Sequence, residues 1–346
     1  DPRGNLLAAD AERLGRHVDD PAVRYAVSQA VFWSSFDPAH VGRLGQAAAD
    51  ALRAAEDADS AELAVDALLI GVLAADQVGD RAQAERLLDK AEVLGAKLGV
   101  PWFSVAPLMC RAKHLLDRGE LDATDRLLED LVVRFPTEVT MMPYGVAVLL
   151  SRRWRGRHEE MDDLVRANAA RTAKDLALAA IDTAVLAQHA ASTGRHGEAL
   201  QLLGQLTDGE ITCPLPGSWA VQAWLPFAAD AALTVADTGT GRRLRDLLRP
   251  WLGLQLQVSN GVLLGPANLY VGRLDALLGD VDDAMAHLDE GIAMSDATGS
   301  RAWAALGRAA LAGVLDHRDP SRARELRVRA RAVAEELGLE LVLELC

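Results

Sequence analysis

Residue types that do chemistry are present in this chain, but their spacing assigns them no reaction. A phosphate-cradling loop needs Gly-x-x-x-x-Gly-Lys followed by Ser or Thr, and no Gly-Lys pair occurs anywhere. The eight histidines form neither a His-Glu-x-x-His helix nor a Cys/His cluster. His189 and His196 stand seven apart with Gly194 between them, which reads as two solvated histidines flanking a turn rather than a metal pair. No Gly-x-Ser-x-Gly elbow presents a nucleophilic serine, and no cysteine sits in a catalytic context. Cys110, Cys213 and Cys346 are odd in number and widely spaced. They outline neither a disulfide framework nor a Cys-x-x-Cys site, and they suit a reducing, cytoplasmic setting. Paired acids such as Asp282-Asp283 and Glu335-Glu336 fall at expected helix ends, where dipole and solvation account for them. The expectation is a non-enzyme with no cofactor and no metal.

Two local anomalies remain. The run Arg152-Arg153-Trp154-Arg155-Gly156-Arg157 could receive an anion or an acidic partner. It also fits cations gathered at a helix C-terminus, which the helix dipole favours, and that is the preferred reading. The arginines at 318, 322, 324, 327, 329 and 331 interleave with acids and should decorate an outer helix face. Tryptophan supplies seven of the fifteen aromatics, and Trp219, Trp224 and Trp251 surround one segment near two long loops. They could line a ligand pocket; filling wide gaps in a core of small residues is the preferred reading.

The elements that position these residues must be helices. Half of the chain is apolar and only 4% is aromatic, so Ala and Leu supply the apolar half, and both are strong helix formers. A β protein of this size needs far more Val, Ile, Thr and aromatics. In 81–98 the apolar residues Ala84, Leu87, Leu88, Ala91, Leu94 and Leu98 keep the spacing of a one-faced helix. No stretch alternates long enough to make a convincing strand, and 207–218 and 253–266 read as long loops.

These helices recur as one unit. After Gly272 come Gly279, Ala284, Leu288 and Gly291, at offsets 7, 12, 16 and 19. This is the skeleton of a tetratricopeptide repeat. A small residue lets the second helix approach, a glycine turns the chain, and a small and then a large apolar residue pack at the crossing. Copies turn near 79, 119, 156, 194, 239, 279 and 318, in steps of 40, 37, 38, 45, 40 and 39 residues. An eighth, degenerate hairpin should turn near Phe36-Asp37-Pro38. The expected fold is all-α: a right-handed α-solenoid of seven to eight TPR-like hairpins without a single central core. It is one domain over 1–346, with a degenerate hairpin in 1–60 and repeats over 61–340.

Repeats of this kind usually bind along the concave face, lined by the first helix of each hairpin. Counting from the turn glycines, that face should carry Leu69, Leu73 and Asp76; Met109 and Lys113; Leu150 and Arg153; Ala184 and Gln188; Leu269 and Arg273; and Arg308. With Trp219 and Trp224 these form the candidate groove. Its cations suggest an acidic or carboxylate-bearing ligand. A chaperone adaptor is not expected, because the positions that clamp a C-terminal carboxylate are mainly apolar here.

A net charge of −14 argues against direct contact with nucleic acid or an anionic membrane. Only Lys90, Lys97, Lys113 and Lys174 are lysines among 36 basic residues, a bias typical of a GC-rich bacterial genome. The chain opens Asp1-Pro2 and reads as a segment of a longer protein.

The stretch Gly265-Pro266-Ala267-Asn268-Leu269-Tyr270-Val271-Gly272-Arg273-Leu274 leads into Leu278-Gly279-Asp280-Val281-Asp282-Asp283-Ala284 and His287-Leu288. Gly299-Ser300-Arg301-Ala302-Trp303 follows. Together these resemble the C-terminal helical repeats of large bacterial ATP-binding regulators, namely LuxR-type transcriptional activators and related cyclase-associated proteins. The likeness is closest over 260–340. It implies a sensor and interaction region for a protein, a peptide or a small-molecule inducer. The ATPase and DNA-binding modules would lie elsewhere in the longer chain. The alternatives are a self-contained scaffold that binds a peptide in its groove and, last, an enzyme on an α/α framework.

Overall fold

The computed structural model describes residues 2–15, 17–136, 141–172, 176–207 and 219–346. It is all-helical, with one two-stranded sheet among the described residues. Three helices come first: α1 (Pro2–Gly15), α2 (Pro21–Ser34) and α3 (Leu44–Asp57). Three antiparallel pairs follow: α4 (Ala61–Gln77) with α5 (Arg81–Leu98), α6 (Pro101–Arg118) with α7 (Leu121–Arg134), and α8 (Met141–Trp154) with α9 (Asp162–Thr172). Next are α10 (Leu176–Ser192) with α11 (His196–Thr207) and α12 (Trp219–Thr234) with α13 (Thr238–Leu248). After the strands β1 (Gln255–Val258) and β2 (Val262–Pro266) come α14 (Ala267–Leu278) with α15 (Val281–Thr298), α16 (Arg301–Leu315) with α17 (Pro320–Leu337), and the short α18 (Glu340–Leu343).

Local chemistry starts and stops these helices where the sequence indicates. The carboxylates of Asp20, Asp80, Asp237 and Asp319 and the hydroxyl of Ser60 accept backbone N–H groups that the first turn leaves unpaired. At Gly119 and Gly279 the backbone turns left-handed, with φ of 81° and 84°, and ends the first helix of its pair. Gly272 shows the small-on-large contact directly: a Cβ there would stand 2.8 Å from Leu288 Cγ and 3.0 Å from its backbone nitrogen.

The two helices of a pair differ in kind. In α4, 13 of 17 residues are buried, whereas in α5 only 4 of 18 are. The same contrast holds for α16 and α17, with 11 of 15 against 4 of 18. A helix apolar on all sides must be enclosed, and a one-faced helix must lie outside. Accordingly α4 packs on α6, α6 on α8, α10 on α12, α12 on α14 and α14 on α16, while α5, α15 and α17 cover them.

Three expectations are corrected. The segment 253–266 is not a loop: β1 and β2 pair antiparallel, with a bulge between Leu256 and Gln257, and every residue of both strands is buried. The link between them is Ser259-Asn260-Gly261, with Ser259 left-handed at φ 45°. The hairpin packs on α4, α6, α8 and α12, so it fills the interior of the inner layer. Second, the absence of a single core holds only in part: one apolar cluster runs from Val105 to Val342, and two separate smaller ones lie among residues 25–74 and 65–110. The chain curls until α16 meets α6 and α18 meets α8. Third, Gly239 is not a turn residue. Ala236 turns the chain at φ 53°, Asp237 caps α13, and Gly239 lies in its first turn. The N-terminal part holds three helices rather than one hairpin, with the expected turn between α2 and α3. Residues 208–218 of the first expected loop, including Cys213, lie outside the described residues.

Candidate functional site

The candidate groove is inside the molecule, and its residues are already engaged. Leu69, Leu73, Met109, Leu150, Ala184 and Leu269 are buried apolar groups of the inner helices. Leu73 contributes its carbonyl oxygen, which accepts from Gln257 Nε2 of β1 at 2.9 Å. The structure therefore corrects the open groove: the part of it on α4, α6 and α8 faces the β1–β2 hairpin. Trp224 is buried, and its indole nitrogen has no hydrogen-bond partner among the described residues. Trp251 is buried as well, whereas the Trp219 side chain lies outside the described residues.

The four groove cations divide into two groups. Lys113 is fully buried; its Nζ lies 2.6 Å from Asp76 and 3.4 Å from both Gln257 Oε1 and the Ser259 carbonyl. Arg308 donates twice to Asp296, at 2.7 and 2.6 Å. Arg308 thus has Asp296, and Lys113 shares Asp76 with Arg81, which also reaches Asp117. Arg153 and Arg273, from α8 and α14, instead share one carboxylate, Asp230 of α12. Arg153 Nη2 lies 2.6 Å from Oδ2, and Arg273 Nη1 lies 2.7 Å from Oδ1. Gln188 is buried and donates to Ser192 Oγ at 2.8 Å, taking no part in either centre.

Around Lys113 the buried charges form a network. His114 bridges Asp76 and Glu85, at 3.0 Å on each ring nitrogen. Arg81 reaches both Asp76 and Asp117, and Ser300 at the start of α16 donates to Asp117. Burial raises the Asp76 pKa, but Lys113, His114 and Arg81 outweigh it and hold the carboxyl below its usual range. Asp117 goes the other way, raised by burial against the pull of Arg81. With Gln77 Nε2 donating to the Gln255 carbonyl at 2.6 Å, this network ties α4 and α6 to β1 and to α16.

The arginine run is mostly neutralised across helices. Arg152 pairs with Asp125 at 3.0 Å, and Arg155 with Asp122 at 2.6 Å. Trp154 is buried edge-on against Trp303, with centroids 4.9 Å apart, and its indole nitrogen is unpartnered. Arg318 and Arg322 make exposed pairs with Asp282 and Asp289, and Arg327 makes a part-buried one with Asp316. His189 sits 3.1 Å from Asp162. Among the described residues no group of three or more His, Cys, Asp or Glu side chains could hold a metal ion, and no helix is long and apolar enough to cross a membrane. No family model and no curated protein matches the chain.

Two residues that organise the interior escaped the sequence reading. Gln257 was hidden in an apparent loop. Asp230 could have been found, because it is a lone acid within α12, a helix whose described residues are otherwise largely buried and apolar.

Two clefts lie apart from these residues. One, of about 500 Å³, separates α1, α2 and α3 and includes Arg24, Arg43 and Arg53. The other, of about 370 Å³, is an apolar trough between α3, α4 and α5.

Proposed function

We propose that the chain is a right-handed α-solenoid of TPR-like hairpins that serves as a non-catalytic sensor and interaction region of a bacterial signal-transducing ATPase regulator of the LuxR or cyclase-associated kind, in the cytoplasm. The observation that carries this reading is the regular step of the turns. Left-handed residues at Gly79, Gly119, Gly156, Gly194, Ala236 and Gly279 lie 37 to 43 residues apart. Placing the fifth turn at Ala236 makes the step more even than the sequence suggested. Helical repeats at one step, joined to the 265–303 likeness, support this family above an unrelated helical fold.

The filled interior bears on the alternative. A scaffold that lays a peptide along its inner helices needs that face, and here β1 and β2 hold it. An interaction partner would then use outer surfaces, and only a small molecule could use the interior. The deciding experiment is to read the gene on both sides of this segment and assay the whole natural protein for ATP hydrolysis. A nucleotide-binding module on the N-terminal side, with activity altered by deletion of this region, is the expected result. A gene without such a module sinks the proposal.

A further inference from the structure

Among the described residues, two buried cations of the interior share a single carboxylate. Asp230 carries a single negative charge and faces two guanidinium groups. Among the described residues neither Arg153 nor Arg273 has another acidic partner, and each uses one nitrogen on Asp230. Arg153 is 5% exposed, and its Nε is buried without a hydrogen-bond partner. A guanidinium cannot shed its proton, so a buried one left partly unpaired is costly. Arg273 is 17% exposed and provides the contact with solvent. No second carboxylate of the described residues lies within ion-pair distance of either guanidinium. His158 is lowered to about 4, first by burial and then by Arg153 and His189.

From this imbalance we infer that Arg153 and Arg273 form an internal site for a small carboxylate or other compact oxyanion, with Asp230 as its built-in competitor. The planar, forked donors of two arginines suit a carboxylate, Asp230 leaves most of them unused, and a second anion would bring the centre to neutrality. Lys113 and Arg308 mark the contrast: Arg308 has Asp296, and Lys113 with Arg81 has Asp76 and Asp117. The site deepens the sensor reading by giving the class of the signal, and it rests on that reading for its purpose only.

The test measures thermal stability and calorimetric binding of the full chain with acetate, succinate and inorganic phosphate, at fixed ionic strength set by chloride. Carboxylate and phosphate arms separate the two sources of an oxyanion. Saturable stabilisation by one of them is expected, reduced about tenfold or more in affinity by Arg273→Gln. Asp230→Asn, which removes the competitor, should tighten the same anion by about tenfold. That gain is what a merely structural ion triad would not give, and it remains readable if Arg273→Gln fails to fold. No anion-specific effect in the natural chain, or an affinity unchanged in Asp230→Asn, overturns the site. That result leaves the regulator reading intact, whereas anion binding without a nucleotide-binding module in the gene leaves the site and removes the regulator.

Discussion

Gln257 and Gln77, 180 residues apart in the chain, are joined by a hydrogen bond from Gln257 Nε2 to Gln77 Oε1 at 2.9 Å. The same amide donates to the Leu73 carbonyl, and its oxygen lies 3.4 Å from Lys113 Nζ. One side chain of the hairpin therefore satisfies three buried groups on the inner faces of α4 and α6. Replacing it with an apolar residue of similar size strands those groups without water. Gln257→Leu should lower unfolding free energy by about 2–3 kcal/mol, as urea titration would read. A change under about 0.5 kcal/mol would show that the hairpin is only loosely held.

Two glycines make opposite predictions from one argument. Gly272 is crossed closely by α15, and a Cβ there meets Leu288 at 2.8 Å and the Ala284 carbonyl at 3.1 Å. Gly313 is an exposed residue of α16 with nothing within 4 Å of a built Cβ. Gly272→Ala should cost about 1–3 kcal/mol through overpacking, unless the crossing helices separate. Gly313→Ala should add about 0.5–1 kcal/mol, because alanine removes freedom from the unfolded chain at no steric cost. Matched thermal melts of the two variants decide it; equal signs would mean that helix propensity, and not the crossing, governs Gly272.

Periodicity made the hairpins legible because each is local: a one-faced helix, a turn residue and a small residue at the crossing all lie within one repeat. The β1–β2 hairpin was not legible, because strands buried on both faces do not alternate, and β1 has only four residues. Its partners lie in α4 and α6, far away in sequence. Lys113 and Arg153 looked alike for a related reason. Sequence shows that each is a cation on an inner helix, but only the folded chain shows that Lys113 and Arg81 have Asp76 and Asp117 between them, while Arg153 and Arg273 share Asp230. The misplaced turn at Gly239 came from reading glycine as the left-handed residue, when Ala236 adopts that conformation and the Asp237 cap fixes the helix start.

Stability should fall with acid in two windows. Burial, then Arg153 and His189, lower His158 to about 4, so it stays neutral in the folded state while its unfolded counterpart protonates near 6.5. The unfolded chain binds more protons between those values, and stability declines as pH falls through them. His189, lowered mainly by burial, acts in the same sense. Further down, a His114 hydrogen bond outweighs burial and holds Glu85 at about 2, and Asp76 lies below its usual range as well. Their contribution is present above about 4 and is lost as pH falls toward their folded values. Asp117, raised by burial, opposes this second decline. Denaturant midpoints from pH 7 to 3 should show both steps. His158→Asn should shrink the upper step and leave the lower, and Glu85→Gln should do the reverse; an identical profile in His158→Asn rules out this assignment.

Cys110 reports whether the inner layer opens. It is fully buried in α6, one turn before His114, and burial pushes its thiol up to about 12. A thiol that is neither ionised nor exposed does not react, so alkylation in the native state should spare it. Cys346 is only half-buried, which makes it the internal comparison within the same sample. Mass spectrometry of peptides after timed alkylation should find Cys346 modified early. Cys110 should be modified only in denaturant, at a rate that follows opening of the α4–α6 layer. Gln257→Leu should accelerate Cys110 while leaving Cys346 unchanged, because the hairpin closes that layer from within. If Cys110 instead labels as fast as Cys346 in the natural chain, the interior is accessible to small molecules without the hairpin being disturbed.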